Sequence, residues 1–355
     1  MHKDKKLIKT TRRKFISGVG FVAAGFALRP FSLFAQEQLA KINLYSPDNY
    51  LSDKLLSNIA KKITPDIDLS TYSSPPNFDM DSGSYDVIIG RDAALESLID
   101  DQKLLKLNSD LITNKSFIDQ KFLNSSFDPK RNYTIPLSYG AIGIAYRKSK
   151  FSEPPSTWRW LLDSDRYAGR VALIGDGRTL IQIALKYMGV SLNTKDPMWI
   201  NQAEKLLKRQ KTNIKDFGKK NGAALLLNNE VDLAIMSNED FKEINDKDIE
   251  FTFPREGSLI WQDCACITQS SKSPDQSHSI INALLEPKNG KSLAQNIQFA
   301  TPNLMALDIC KDSFKGDHTI FPSTQIIERY EDTSIIMDFD YEMMIEEMWD
   351  NILDA

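Results

Sequence analysis

Histidine and cysteine are scarce, and with them goes most of the chemistry that enzymes build on those side chains. His2, His278 and His318 are the three histidines in 355 residues, and none sits in an H-E-x-x-H pattern. A G-x-S-x-G nucleophile elbow is missing, as is a G-x-x-x-x-G-K-[ST] phosphate loop. Acid pairs occur in any chain with 48 Asp and Glu, so they carry no catalytic weight without geometry. The chain is therefore expected not to be an enzyme and to need no cofactor or metal. Cys264, Cys266 and Cys310 are odd in number, so at least one is expected as a buried free thiol. Two residues apart on one strand, the Cα atoms of Cys264 and Cys266 would lie about 7 Å apart, at the limit for a disulfide. Neither a disulfide nor a zinc site is expected there.

Long apolar runs are missing as well. The stretch from Phe15 to Leu28 is fourteen residues long, whereas a bilayer-spanning helix takes about 20. Basic residues from Lys3 to Lys14 precede it and Ser32-Leu33-Phe34-Ala35 follow it, which is the order of an export leader. Thr11-Arg12-Arg13-Lys14-Phe15-Ile16 resembles the twin-arginine signal used by proteins exported after folding. Cleavage is expected near Ala35, with no cysteine at the junction to take a lipid. Residues 1–35 hold eight Lys/Arg and one Asp, leaving 36 basic against 47 acidic residues, a net charge near −11. An acidic surface disfavours nucleic acid and anionic membrane, while its field draws small cations.

The remaining 320 or so residues exceed one ordinary core and predict two lobes. Strand and helix signals alternate along them. Lys41–Tyr45 reads as a first strand, ended by Ser46-Pro47-Asp48-Asn49, and Leu51–Lys62 has helical spacing. Tyr85–Gly90 is a short apolar run suited to a buried parallel strand, followed by a helix over Ala93–Leu98. The unit recurs at Val171–Ile174 with a helix over Thr179–Met188, and a further strand is expected at Val231–Met236. In α/β sheets of this kind ligands bind beyond the carboxyl ends of strands. Asp48, Asp176, Asp240 and Asp263 fall at such ends and could accept charge-assisted hydrogen bonds from ammonium groups. Tyr50 and Trp261 could line a carbon chain or face a cation. Fixed carboxylates with apolar walls suit a long, flexible polyamine.

Several segments then resemble one family in order and spacing. They are Ser70-Thr71-Tyr72, Phe127-Asp128-Pro129 with Tyr133-Thr134-Ile135-Pro136, Gly140–Ala145, and Pro254-Arg255-Glu256-Gly257-Ser258-Leu259-Ile260-Trp261-Gln262-Asp263. Leu284-Leu285-Glu286-Pro287 and Ala300-Thr301-Pro302-Asn303-Leu304 follow. Through these the chain resembles the bacterial periplasmic spermidine/putrescine-binding proteins of ABC transporters. The resemblance implies a two-lobed α/β periplasmic binding fold of type II, a ligand cleft between the lobes, a small cationic cargo and delivery to an inner-membrane permease. A monomer and a periplasmic location are expected. Lobe 1 is expected over 36–145 plus about 264–310, and lobe 2 over 146–263 plus about 311–355, with exchanges near Tyr146 and after Trp261.

Carried over position by position, Tyr50, Asp176, Trp261 and Asp263 match the family's ligand residues. Asp48 or Asn49 could stand in for a partner after the first strand, and Asp240 matches an acid of the putrescine-preferring branch. Elsewhere the site departs from the pattern. Pro47, Ala93 and Ser237 stand where the family has aromatics, Thr179 where it has a glutamate, and Arg91 where it has a small residue. Fewer stacking surfaces and an added cation should weaken polycation binding, so a smaller amine or a zwitterionic cargo stays open, as does a cargo-free interaction role. Other readings stand beside these. Asp176 could be a helix N-cap, Asp48 and Asp240 turn or surface acids, and Arg91 could pair with Asp92 or another lobe residue. Strand alternation places Trp261 and Asp263 on one face, and Gln262, Cys264 and Cys266 on the other.

Overall fold

The computed structural model describes residues 41–63, 66–73, 85–218, 222–332 and 339–355. The expected leader, its twin-arginine motif and the Ala35 junction lie outside the described residues. Among the described residues ten strands form one sheet: β1 (Ile42–Pro47), β2 (Ile67–Tyr72), β3 (Val87–Arg91), β4 (Thr134–Arg147), β5 (Val171–Leu173), β6 (Ile214–Phe217), β7 (Leu233–Ser237), β8 (Ile249–Thr252), β9 (Leu259–Ile267) and β10 (Glu331–Asp332). The order is β2-β1-β3-β9-β4-β7-β5-β6, with β10 against β9 and β8 against β4. Val87, Ile88 and Ile89 are all fully buried, so β3 is covered on both faces as expected, though it is parallel only to β1 and antiparallel to β9.

Expected and observed elements agree within a few residues. The first strand runs on through Ser46 and Pro47, where a turn was expected, because β2 pairs with it in parallel as far as Pro47–Tyr72. Helices Asp53–Ala60, Asp92–Asp100 and Gly177–Tyr187 follow β1, β3 and β5.

Long strand β4 divides the sheet into two halves. Thr134 to Ala141 pairs with β9, and Ile142 to Tyr146 pairs with β7. β4 changes partner between Ala141 and Ile142. β9 pairs from Ile260 to Cys266 with β4, and along Asp263 to Ile267 with β3. Its ladder is thus complete within the first half. Trp261 and Asp263 therefore sit with the first half-sheet.

Ile42, Leu44, Ile89, Ile135 and Ala265 lie in a first core that runs on into the second half-sheet through Ala172, Ala234, Met236 and Phe251, and Leu173, Ile183, Leu207, Ile345 and Ile352 lie in a second. Phe314 and Ile320 join the first core. The C-terminal helix Phe339–Asp354 packs on Gly177–Tyr187 and Pro197–Lys211 in the second. A two-residue strap ties the halves together. Glu331 accepts hydrogen bonds from Ser191 Oγ (2.6 Å) and Leu192 N (3.2 Å) and pairs with Lys186, whereas Asp332 accepts from Ser125 Oγ (2.5 Å) and Ser126 N (3.1 Å).

All three cysteines are free and buried. Burial pushes the Cys264 thiol up to about 12, which keeps it protonated and unreactive.

Candidate functional site

Three strands deliver the central side chains side by side. Asp263 on β9 faces Arg91 on β3 and Ser138 on β4 in the pairing register. Arg91 Nε donates to Asp263 Oδ1 at 3.0 Å, and Ser138 Oγ donates to Asp263 Oδ2 at 3.1 Å. Both carboxylate oxygens are therefore held by direct cross-strand neighbours. Tyr50, buried under the first core, places its hydroxyl 2.7 Å from Ser138 Oγ and fixes that serine from behind.

Trp261 lies two residues before Asp263 on the same face, at the diagonal position that a long β3 side chain can reach. The Arg91 guanidinium carbon stands 3.7 Å from the centroid of its ring. That is a close cation–π contact. Gly140 makes room for the indole, since a Cβ there would lie 2.0 Å from the Trp261 ring. Phe299 meets the indole edge-on at 5.0 Å between centroids, and Lys242 Nζ sits 3.3 Å from the Phe299 centroid while donating to Ile297 O at 2.8 Å. Burial pushes the Lys242 ammonium down to about 7. Trp261 Nε1 has no hydrogen-bond partner among the described residues.

Arg91 also reaches the second half-sheet. Its Nη2 stands 3.0 Å from Glu239 Oε2, on the short helix Asn238–Phe241 that follows β7. Burial alone would lower the Arg91 pKa, and the charges of Asp263 and Glu239 more than reverse this, so the guanidinium stays charged. Next to it Asp92 begins helix Asp92–Asp100 and is buried, accepting from Ala93 N and Gln262 N at 2.9 Å each. Burial raises its carboxyl to about 7 against the pull of Arg91 and those two N–H groups.

The expected residues divide into two sets. Trp261, Asp263, Tyr50 and Arg91 come together. Asp176 is exposed and caps helix Gly177–Tyr187, accepting from Thr179 N at 2.7 Å. Ser237 caps Asn238–Phe241, accepting from Asp240 N at 3.0 Å and donating to Asp240 Oδ2 at 2.8 Å. Asp240 is exposed and bonded to that serine, while its neighbour Glu239 is the acid that reaches Arg91. Asp48 is exposed, and its backbone N–H donates to Tyr72 O at 2.8 Å. No described hydrogen bond joins Asp48, Asp176, Asp240 or Ser237 to the Asp263 cluster.

Glu239, Ser138, Lys242 and Phe299 escaped the sequence reading. Glu239 lies between Ser237 and Asp240, the two candidates singled out there, and Ser138 between two matching segments. Choosing them required the register of β9 and the direction of a four-residue helix. The opposite face of β9 is as expected. Gln262 Oε1 accepts from Arg131 Nη2 at 2.5 Å, and Cys264 and Cys266 pack with Ile88 and Leu95. Among the described residues no group of three or more His, Cys, Asp or Glu is placed to hold a metal ion.

Known proteins give this geometry its context. The family described as bacterial extracellular solute-binding protein matches residues 34–322. Over 318 residues the chain is 28% identical to the spermidine/putrescine-binding periplasmic protein of Escherichia coli K12, covering 87% of this chain and 91% of that one. It is 25% identical over 309 residues to the putrescine/cadaverine-binding protein of Pseudomonas aeruginosa PAO1, covering 82% and 87%. A solved spermidine/putrescine ABC transporter substrate-binding protein from Streptococcus pneumoniae matches with a TM-score of 0.80 at 24% identity, over 88% of this chain and 98% of that one. The expected two-lobed α/β binding-protein fold is thereby established.

Proposed function

The chain belongs to the bacterial extracellular solute-binding protein family, and from that membership we propose that it is the periplasmic component of an ABC transporter, carrying a polyamine or related small amine to an inner-membrane permease. Asp263 carries the amine reading. Its side chain is 3% exposed, holds the guanidinium that lies on the face of Trp261 and is oriented by Ser138 and Tyr50. A buried carboxylate next to an indole face is a receptor for a cation, which supplies both the countercharge and the stacking partner. Relatives named for spermidine, putrescine and cadaverine support that class of cargo.

Asp48, Asp176 and Asp240 are proposed to meet the far end of the cargo, and Ser237 to act through its cap on Asp240. With Pro47, Ala93 and Thr179 replacing larger or acidic groups, the cargo is held at fewer points than in the polyamine-binding relatives. The protein is proposed to act as a monomer without nucleic acid, exported by the twin-arginine route and cleaved near Ala35.

Mass spectrometry of small molecules released from the purified, mildly denatured protein tests this reading. A di- or polyamine is the expected release. A carboxylate-bearing cargo is the second reading, favoured by the cationic Arg91 in the seat, and its recovery in place of an amine would overturn the first.

A further inference from the structure

We infer that Arg91 is a tethered stand-in for the cargo's cation: its guanidinium occupies the seat between Asp263 and Trp261, links that seat to Glu239 across the cleft, and is displaced when an amine binds. The inference rests on the amine reading of that seat.

Arg91 differs in kind from a structural arginine of this fold. Arg131 is fully buried on the other face of β9 and bonds to Phe122 O, Thr134 Oγ1 and Gln262 Oε1 within the first lobe. Arg91 leaves the end of β3 with 28% of its side chain exposed, and its two carboxylate partners come from different half-sheets, Asp263 from β9 and Glu239 from the helix after β7. Asp263 is 3% exposed and Glu239 is 42% exposed, so the first contact is desolvated and the second is open to water. Such an asymmetric pair has a strong anchor and a weak, releasable arm.

The contacts of the guanidinium are those an ammonium would make. It has a charge-assisted bond of 3.0 Å to a buried carboxylate and lies 3.7 Å from an indole centroid. Two cations cannot share Asp263 and one face of Trp261, because each contact is made at van der Waals range. Being tethered to β3, Arg91 is present at a local concentration in the millimolar range or above, whatever the cargo level. Apparent cargo affinity is then the intrinsic affinity multiplied by the fraction of molecules whose seat Arg91 has left. The same side chain joins the lobes, so it holds the cleft closed through Glu239 and makes closure less dependent on cargo.

Titration calorimetry with putrescine and with spermidine on wild type, Arg91→Ala and Glu239→Gln tests the seat, and small-angle scattering of the three proteins before and after ligand tests the closure. Arg91→Ala is expected to bind putrescine about tenfold more tightly or better, to have a larger radius of gyration than wild type without ligand, and to contract on saturation. Glu239→Gln keeps the Asp263 contact, so it should expand without ligand and tighten binding less. If wild type binds putrescine and Arg91→Ala binds it equally or more weakly, Arg91 is not in the seat and the amine reading stands alone. If none of the proteins binds either amine, the amine reading fails. Scattering still decides the cross-cleft link in that case, and equal radii for wild type and both variants overturn it.

Discussion

Arg91 and Asp263 face each other across the β3–β9 ladder, and their side chains meet, Nε to Oδ1, at 3.0 Å. The pair joins two strands of the sheet and reaches on to Glu239, so its energy enters folding and, if the seat holds the cargo as proposed, binding as well. Removing Asp263 leaves the guanidinium with the more exposed Glu239. Asp263→Asn is expected to lower stability by roughly 1–3 kcal/mol in urea unfolding. Adding Arg91→Ala to it should cost much less than the sum of the two single changes, because they remove one shared interaction. Strict additivity would show that the two charges are not coupled.

Gly140 and Trp261 supply a test by shape alone. A methyl group at Gly140 would enter the indole ring at 2.0 Å, and the ring is wedged between Arg91 and Phe299. Gly140→Ala should displace the indole, destabilise the fold by about 1–3 kcal/mol and weaken amine binding. A shift in tryptophan fluorescence would report the movement. Unchanged fluorescence and binding would mean that the indole relaxes without leaving its place.

Asp92 predicts an unusual pH dependence. Its folded carboxyl titrates at about 7, raised by burial, whereas in the unfolded chain an aspartate titrates at about 3.9. Between these values the folded state binds a proton that the unfolded state does not. This group therefore makes stability fall as pH rises from about 4 to about 7, opposite to the usual salt-bridged carboxylate. Asp92→Asn should remove that slope, so the variant gains on wild type between pH 4.5 and 7.5 in chemical denaturation. Parallel stability profiles would contradict the assignment.

The strap offers a control away from the seat. Glu331 is the ion-pair partner of Lys186, whose side chain is 11% exposed, and it accepts two further hydrogen bonds. Glu331→Ala leaves that ammonium unpaired and should lower stability by roughly 1–3 kcal/mol. The strap pairs with Leu259 and Ile260 of β9 through its backbone, which the substitution leaves in place, and the Glu331 side chain makes no described bond to Asp263 or Trp261, so the amine seat should survive in this variant. Loss of binding with stability intact would place the strap in the cargo site instead.

Much of this arrangement was legible in the amino-acid order. The alternation Ile42, Leu44 and the run Val87-Ile88-Ile89 marked strands, and period two alone put Trp261 and Asp263 on one face. Asp176 as a cap followed from its place before a helix. What could not be read was register. Nothing local says that Arg91 lies opposite Asp263, or that Ser138 completes the trio, since their partners are 172 and 125 residues away. The partners of β9 were hidden for the same reason: Trp261 follows β8, which pairs with the second half of β4, while the ladders of β9 run along β3 and the first half of β4. Glu239 was hidden because choosing it over Asp240 depends on the direction of a four-residue helix.

Calorimetric titration of wild type and Asp263→Asn with putrescine tests the central claim most directly. A cationic cargo held by a buried carboxylate predicts saturable one-to-one binding in wild type, and a loss of roughly 2–5 kcal/mol of binding free energy in the variant. Binding that is unchanged or improved in Asp263→Asn would contradict the account. So would a wild type that ignores putrescine, cadaverine and spermidine at millimolar concentration.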